Sequence, residues 1–200
     1  MPVYWSHKLT WGYLIEGKSQ LFFLDSVAYL IFKNVNAVLI NKLLATFFLL
    51  VSCAIEAGTL QGKVIGVADG DSLTVLDNNK TQHKIRLQGI DAPEKVQAFG
   101  QKSKQALHQL AHNKQVTVEF QKKDKYGRTV GKVLVNGNDI CLEQIKLGMA
   151  WHYKQYESEQ SKEDRIAYQQ AELAARDQAL GIWKDKNATP PWEFRKQTRN

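Results

Sequence analysis

The chain has 200 residues, 44% of them hydrophobic and 24% charged, a globular composition that excludes a disordered or fibrous polypeptide. Lys and Arg number 27 against 20 Asp and Glu, a formal charge of +7, which favours an anionic partner, nucleic acid or membrane surface, without choosing between them. Two cysteines exclude a disulfide-dense scaffold and a Cys-rich zinc module.

Residues 1–35 carry aromatic clusters (Tyr4, Trp5, Trp11, Tyr13, then Leu21 to Leu24) broken by Asp25. They read as an N-terminal extension, either a start assigned too far upstream or a cytoplasmic or membrane-associating segment. Residues 36–57 read as a signal peptide: Lys42 supplies a positive flank, Leu43 to Ile55 is uncharged, and Ser52, Cys53, Ala54 and Ala57 are small. The apolar run is too short to span a bilayer, which takes about 20 residues. A buried core helix is the plainer alternative, but no 3.6-residue alternation supports it. Cleavage after Ala57 would give an exported chain, periplasmic or secreted, beginning at Gly58. Leu50-Val51-Ser52-Cys53 also has the form of a lipobox, in which an acylated Cys53 would anchor a lipoprotein to the membrane. From Gly58 onward Lys and Arg still number 23 against 17 Asp and Glu, so the basic character belongs to the domain itself.

The domain is expected over residues 58–186, with an extended C-terminal tail over 187–200. Val64-Ile65-Gly66-Val67, Ser72 to Leu76 and Lys84 to Leu87 are short β-type runs separated by Asp69-Gly70 and Asp77-Asn78-Asn79 turns. Ala98 to His112 has helical spacing, Gln115 to Gln121 alternates as a strand, and Thr129 to Val135 is another, ended by Asn136-Gly137. Asp139 to Leu147 is a short helix closed by Gly148, and Ser158 to Leu180 a long one stopped by Gly181. The pattern predicts an α+β fold with a mainly β core: a five-stranded barrel of the OB type with three helices, preceded by the signal-like segment.

Four clusters carry potential chemistry. Asp69-Gly70-Asp71-Ser72 offers clustered oxygens to a hard cation, or is simply a tight turn. Asp91-Ala92-Pro93-Glu94 is either a capping box opening a helix or a metal ligand with a nearby carboxylate for a water. Arg86, on the strand leading into that turn, suits a phosphate held beside a cation or a structural salt bridge. Asp124-Lys125-Tyr126-Gly127-Arg128 places a ring and a guanidinium together in a turn, fit for base stacking and phosphate contact or merely a solvated basic loop. His108 and His112 have the spacing of a zinc-protease helix, but Gln109 stands where the catalytic Glu would be. Cys141 reads as a packed residue, and Ser72 lacks the setting of a nucleophile.

In order and spacing, Asp69-Gly-Asp71-Ser, Ile85-Arg86-Leu87, Gly89-Ile90-Asp91-Ala92-Pro93-Glu94 and Asp124-Lys-Tyr126-Gly-Arg128 resemble the staphylococcal (micrococcal) nuclease, or thermonuclease, family. The resemblance runs from Val64 to Trp183, and the Pro-Pro-Trp-Glu-Phe ending is similar to that of exported members. It implies Ca²⁺ bound by the carboxylates of Asp71 and Asp91 and the backbone carbonyl of Ala92, where the family often has Thr. Asp69 and Asp124 would be supporting residues. It implies Arg86, Glu94 and Arg128 as catalytic residues, Glu94 positioning or deprotonating the attacking water. Tyr126, Tyr156 and Lys125 would bind substrate, although Trp151-His152-Tyr153-Lys154 departs from the family's tyrosine spacing. The implied activity is Ca²⁺-dependent, sugar-nonspecific endonucleolytic hydrolysis of DNA and RNA, leaving 3′-phosphate ends. No protein partner is implied. A non-catalytic OB-fold nucleic-acid binder is the second reading.

Overall fold

A computed structural model describes residues 58–198. The N-terminal extension, the signal peptide and Cys53 lie outside the described residues. β1 (Gly58–Val67), β2 (Ser72–Asp77) and β3 (Gln82–Leu87) form an antiparallel meander, and β5 (Gln115–Lys123) and β6 (Thr129–Val135) a hairpin. β1 pairs with β5, and β3 pairs with β6 in parallel, so the strand order β3-β2-β1-β5-β6 closes on itself. This is the five-stranded barrel expected. Register shifts between Val64 and Gly66 and between Phe120 and Lys122 supply the bends that closure needs.

The barrel interior follows from side-chain alternation. Along β6 every second residue from Thr129 to Val135 is buried, and Val64, Leu73, Val75, Ile85, Leu87, Val118 and Val133 fill the interior. Each such side chain contributes roughly 1.5–3 kcal/mol of burial. Gly131 lies where a Cβ would come within 2.6 Å of the Val118 side chain, so the β5–β6 hairpin closes only around a bare backbone there.

Three helices cover the barrel: α1 (Gly100–Ala111), α2 (Ile140–Lys146) and α3 (Lys162–Asp177). Asp139 caps α2, its carboxylate accepting from the Cys141 and Leu142 amides. The buried Tyr168 of α3 donates to the same carboxylate at 2.8 Å. Short strands β7 (Asn138–Asp139) and β4 (Ile90–Asp91) join β6 and β8 (Trp151–His152) respectively. Cys141 is free and fully buried.

Two expectations are corrected. The segment 158–180 is not one helix: a 3₁₀ turn covers Lys154–Glu159, and α3 starts only after Ser161, whose Oγ accepts from the Asp164 amide. Nor is the tail extended throughout, since Pro191–Gln197 forms a helix, α4. Pro191 occupies its first turn, where the missing N–H costs nothing. Among the described residues, no helix is long and apolar enough to cross a membrane.

Candidate active site

One cavity of about 600 Å³ opens at the end of the barrel. Every residue singled out for chemistry lines it: Asp69, Asp71, Arg86, Asp91, Ala92, Glu94, Asp124, Lys125, Tyr126, Arg128 and Tyr156. The convergence comes from three pairings. Antiparallel β2–β3 sets Ser72 opposite Arg86, placing Asp71 beside the guanidinium. The parallel β3–β6 seam sets Ile85 opposite Thr129, so Arg128 arrives next to the same strand. The two-residue ladder β4–β8 holds Asp91 against Trp151.

Arg86 is nearly enclosed, with 14% of its side chain exposed. Its Nη1 donates to the carbonyl oxygens of Leu87 and Ile90, both at 3.0 Å, while Nη2 reaches Asp91 Oδ1 at 2.9 Å and Asp71 Oδ2 at 3.1 Å. Burial works against its charge, but Asp71, Asp91 and, less strongly, Asp69 outweigh it and raise its pKa. The Asp91 carboxyl is pushed up by burial, with Arg195 and Arg86 opposing the shift. Asp69 is pushed up to about 6, by burial and then by the neighbouring Asp71 carboxylate.

Asp91 caps no helix. The next helix begins at Gly100, and both Asp91 oxygens are engaged by arginines, which removes the capping-box alternative. Asp71 is similarly committed: Oδ2 accepts from the Ala92 amide at 2.8 Å and Oδ1 from the Ser72 hydroxyl at 3.1 Å.

The second arginine is more exposed. Arg128 Nε donates to Asp124 Oδ2 at 2.8 Å, and Nη1 lies 3.3 Å from Ser72 Oγ. Ser72, no nucleophile, therefore bridges Arg128 to Asp71. Burial would raise the Asp124 carboxyl, but hydrogen bonds from Arg128 and the Tyr126 amide hold it below the usual range. Tyr126 is 67% exposed, with Arg128 Cζ 5.6 Å and Lys125 Nζ 5.1 Å from its ring centre. Across the cavity Tyr156 meets Tyr153 edge-on at 5.0 Å.

Tyr153 and Arg195 are among the lining residues that escaped sequence reading, as are Lys122 and Lys123. Tyr153 follows β8 directly, and its position after Trp151-His152 was a usable signal. Arg195 lies more than a hundred residues from its partners Asp91 and Glu94, and no local motif marks it.

The donor set suits a hard cation. Asp71 and Asp91 approach the same guanidinium nitrogen, and with Asp69 they concentrate acidic oxygen of the type Ca²⁺ takes. Among the described residues, no group of three or more His, Cys, Asp or Glu is spaced to hold a metal by itself. His108 and His112 stack on each other at 4.1 Å, away from the cavity lining.

Comparison with known proteins places these residues in a family. The profile of the family described as Staphylococcal nuclease homologue matches residues 84–185. A protein of Haemophilus influenzae named an uncharacterized endonuclease is 41% identical over 162 residues, covering 81% of this chain and 86% of that one. A micrococcal nuclease of Shigella flexneri is 38% identical over 152 residues, covering 70% and 83%. An uncharacterized endonuclease of Escherichia coli is 34% identical over 156 residues, covering 78% and 97%. A purely non-catalytic binder is set aside on this ground. The chain belongs to the staphylococcal nuclease family, and its chemistry is that of a nuclease.

Proposed function

We propose that this nuclease is an exported, Ca²⁺-dependent endonuclease that hydrolyses DNA and RNA alike and leaves 3′-phosphate ends. One observation supports the reading: four aspartates, three arginines and two glutamates, among them Asp71, Asp91, Arg86, Arg128 and Glu94, line a single cavity that Tyr126, Tyr153 and Tyr156 also line. Asp71, Asp91 and the Ala92 carbonyl would hold the ion. When bound there, Ca²⁺ supplies Lewis-acid stabilisation of the charge that builds on the non-bridging phosphate oxygens.

The chain's own groups account for the rest. Arg86 and Arg128 bring two fixed guanidiniums to the same place, opposing the same developing charge. Glu94, with 36% of its side chain exposed, is open enough to orient a water and accept its proton during attack. Tyr126 and Tyr156 offer ring faces to bases of any sequence. Lys122, Lys123 and Lys125 along the rim attract the polyanion through its phosphates, a contact blind to sequence and to the sugar.

The reading is tested by digesting single-stranded DNA, duplex DNA and RNA in Ca²⁺ or in EDTA and analysing the new ends. Cleavage of all three only with Ca²⁺, with phosphatase-sensitive 3′ ends, is expected. Undiminished cleavage in EDTA, or 3′-hydroxyl ends, would overturn it. Export is tested by mass spectrometry of the mature N-terminus. A start at Gly58 supports a released enzyme, and an acylated Cys53 a membrane-anchored one.

A further inference from the structure

Arg195 reaches the cavity from α4, the last helix. Its Nη2 donates to Asp91 Oδ2 at 2.8 Å, and its Nη1 to Asp91 Oδ1 at 3.2 Å and Glu94 Oε1 at 2.7 Å. With Arg86 already on Oδ1, both oxygens of Asp91 face arginine protons. The Asp91 side chain is only 1% exposed, so those oxygens have little access to solvent.

The two arginines on Asp91 are held differently. Arg86 is anchored by two backbone carbonyls besides its carboxylates, which no dissolved cation could replace. Among the described residues, the Arg195 guanidinium donates to the carboxylates of Asp91 and Glu94, with the Tyr153 hydroxyl beside it, and those carboxylate contacts are the very interactions a divalent ion offers in exchange. Its side chain is 33% exposed, so a route back to solvent exists. The helix carrying it is held by a few identifiable contacts. Trp192 stacks on Tyr153 at 5.4 Å and 10°, Pro191 is buried, and Gln97 donates to the Thr189 carbonyl.

We propose that Arg195 is a tethered cation that competes with the divalent ion: it holds Asp91 and Glu94 in the metal-free enzyme and leaves when the ion binds. The two compete for Asp91, because Arg86 and Arg195 together already fill three of its roughly four lone-pair positions, and a divalent ion beside the Arg195 guanidinium would be repelled by it. The strap from Thr189 to Gln197 thus keeps the acidic residues paired and closes part of the cavity until metal arrives. This inference rests on the metal reading above.

The test uses the full chain. Ca²⁺ is titrated calorimetrically into the wild type, Arg195→Gln and Arg195→Lys, and amide exchange of residues 191–197 is followed with and without Ca²⁺. Loss of a charge-assisted bidentate pair should tighten Ca²⁺ binding in Arg195→Gln by roughly ten-fold or more. Arg195→Lys, which keeps the charge but not the fork, should fall between. In the wild type, saturating Ca²⁺ should speed exchange across α4. Equal or weaker Ca²⁺ affinity in Arg195→Gln, with α4 protection unchanged by the ion, would overturn this proposal alone. Absence of Ca²⁺ binding in all three chains would overturn it together with the metal reading. Weaker binding of a nucleoside bisphosphate by Arg195→Gln at unchanged Ca²⁺ affinity would make Arg195 a phosphate-holding residue instead, and also refutes competition.

Discussion

Gln144, wholly buried on α2, donates its Nε2 to the carbonyl oxygen of Gly70 at 2.7 Å. The turn that carries Asp69 and Asp71 is therefore held from the core side, by a residue with no access to substrate. Gly70 itself leaves no room for a side chain: a Cβ would fall 1.9 Å from Ser103 Oγ and 2.7 Å from the Ala92 side chain. The acidic turn, the start of α1 and the Ala92 backbone are packed as one unit.

Gln144→Leu should leave the Gly70 carbonyl buried without its donor, costing about 1–3 kcal/mol in urea melts. Activity should fall as well, because the Asp71 side chain is placed by that turn. Gly70→Ala should do the same through steric displacement. A variant of either kind with wild-type stability and rate would refute this account of the turn.

Arg86 and Arg128 should respond differently to truncation. Arg128→Ala removes a partly exposed group and should cut turnover by two orders of magnitude or more with little change in melting. Arg86→Ala should cut turnover too, yet also cost about 2–4 kcal/mol, since Asp71 loses its guanidinium, Asp91 keeps only Arg195, and two carbonyls lose their donor. Comparing kcat with urea midpoints for both variants separates the two roles.

Tyr156→Ala should raise KM for oligonucleotides roughly five- to hundred-fold, the range of one lost base stack, while kcat changes less. Its ring is 42% exposed at the cavity mouth. A fall in kcat at constant KM would place Tyr156 nearer the reacting phosphate than a stacking surface.

Asp69 gives the metal-free protein a specific pH response. Its folded carboxyl is raised from 3.8 to about 6, so between those values the folded chain keeps a proton that the unfolded chain has released. Stability from this group is therefore present at low pH and lost as pH rises through that window. Asp69→Asn, always neutral, should be more stable than wild type by roughly 1–3 kcal/mol near neutral pH, with the advantage vanishing at about pH 4. Urea melts in EDTA across that range measure it; an advantage independent of pH would contradict the assignment.

The acidic and basic positions were legible because each sits in a strand-turn segment only a few residues long. Asp69 to Ser72, Arg86 to Glu94 and Asp124 to Arg128 announce themselves by charge next to glycine or proline. What brings them together was not legible. The parallel β3–β6 seam joins residues 44 apart, Ile85 and Thr129, and no periodicity encodes such a partner. The same holds for Arg195, whose contacts span more than a hundred residues. α4 was hidden for a local reason: Pro190-Pro191 reads as extended chain, though a proline also suits a helix's first turn. At Asp91-Ala92-Pro93-Glu94 a capping box and a metal ligand share one spelling, and the first is removed only by the structure, in which the next helix begins at Gly100 and arginines take both Asp91 oxygens.

The parallel seam has a consequence for the living cell. Arg86 belongs to the first meander and Arg128 to the hairpin, and the two meet only once β3 and β6 have zipped together. A ribosome-bound chain that has not yet delivered Thr129 and the residues after it cannot assemble the pair. Cutting geometry thus depends on a contact between distant parts of the chain, and a product that ends before β6 holds Arg86 without a placed Arg128.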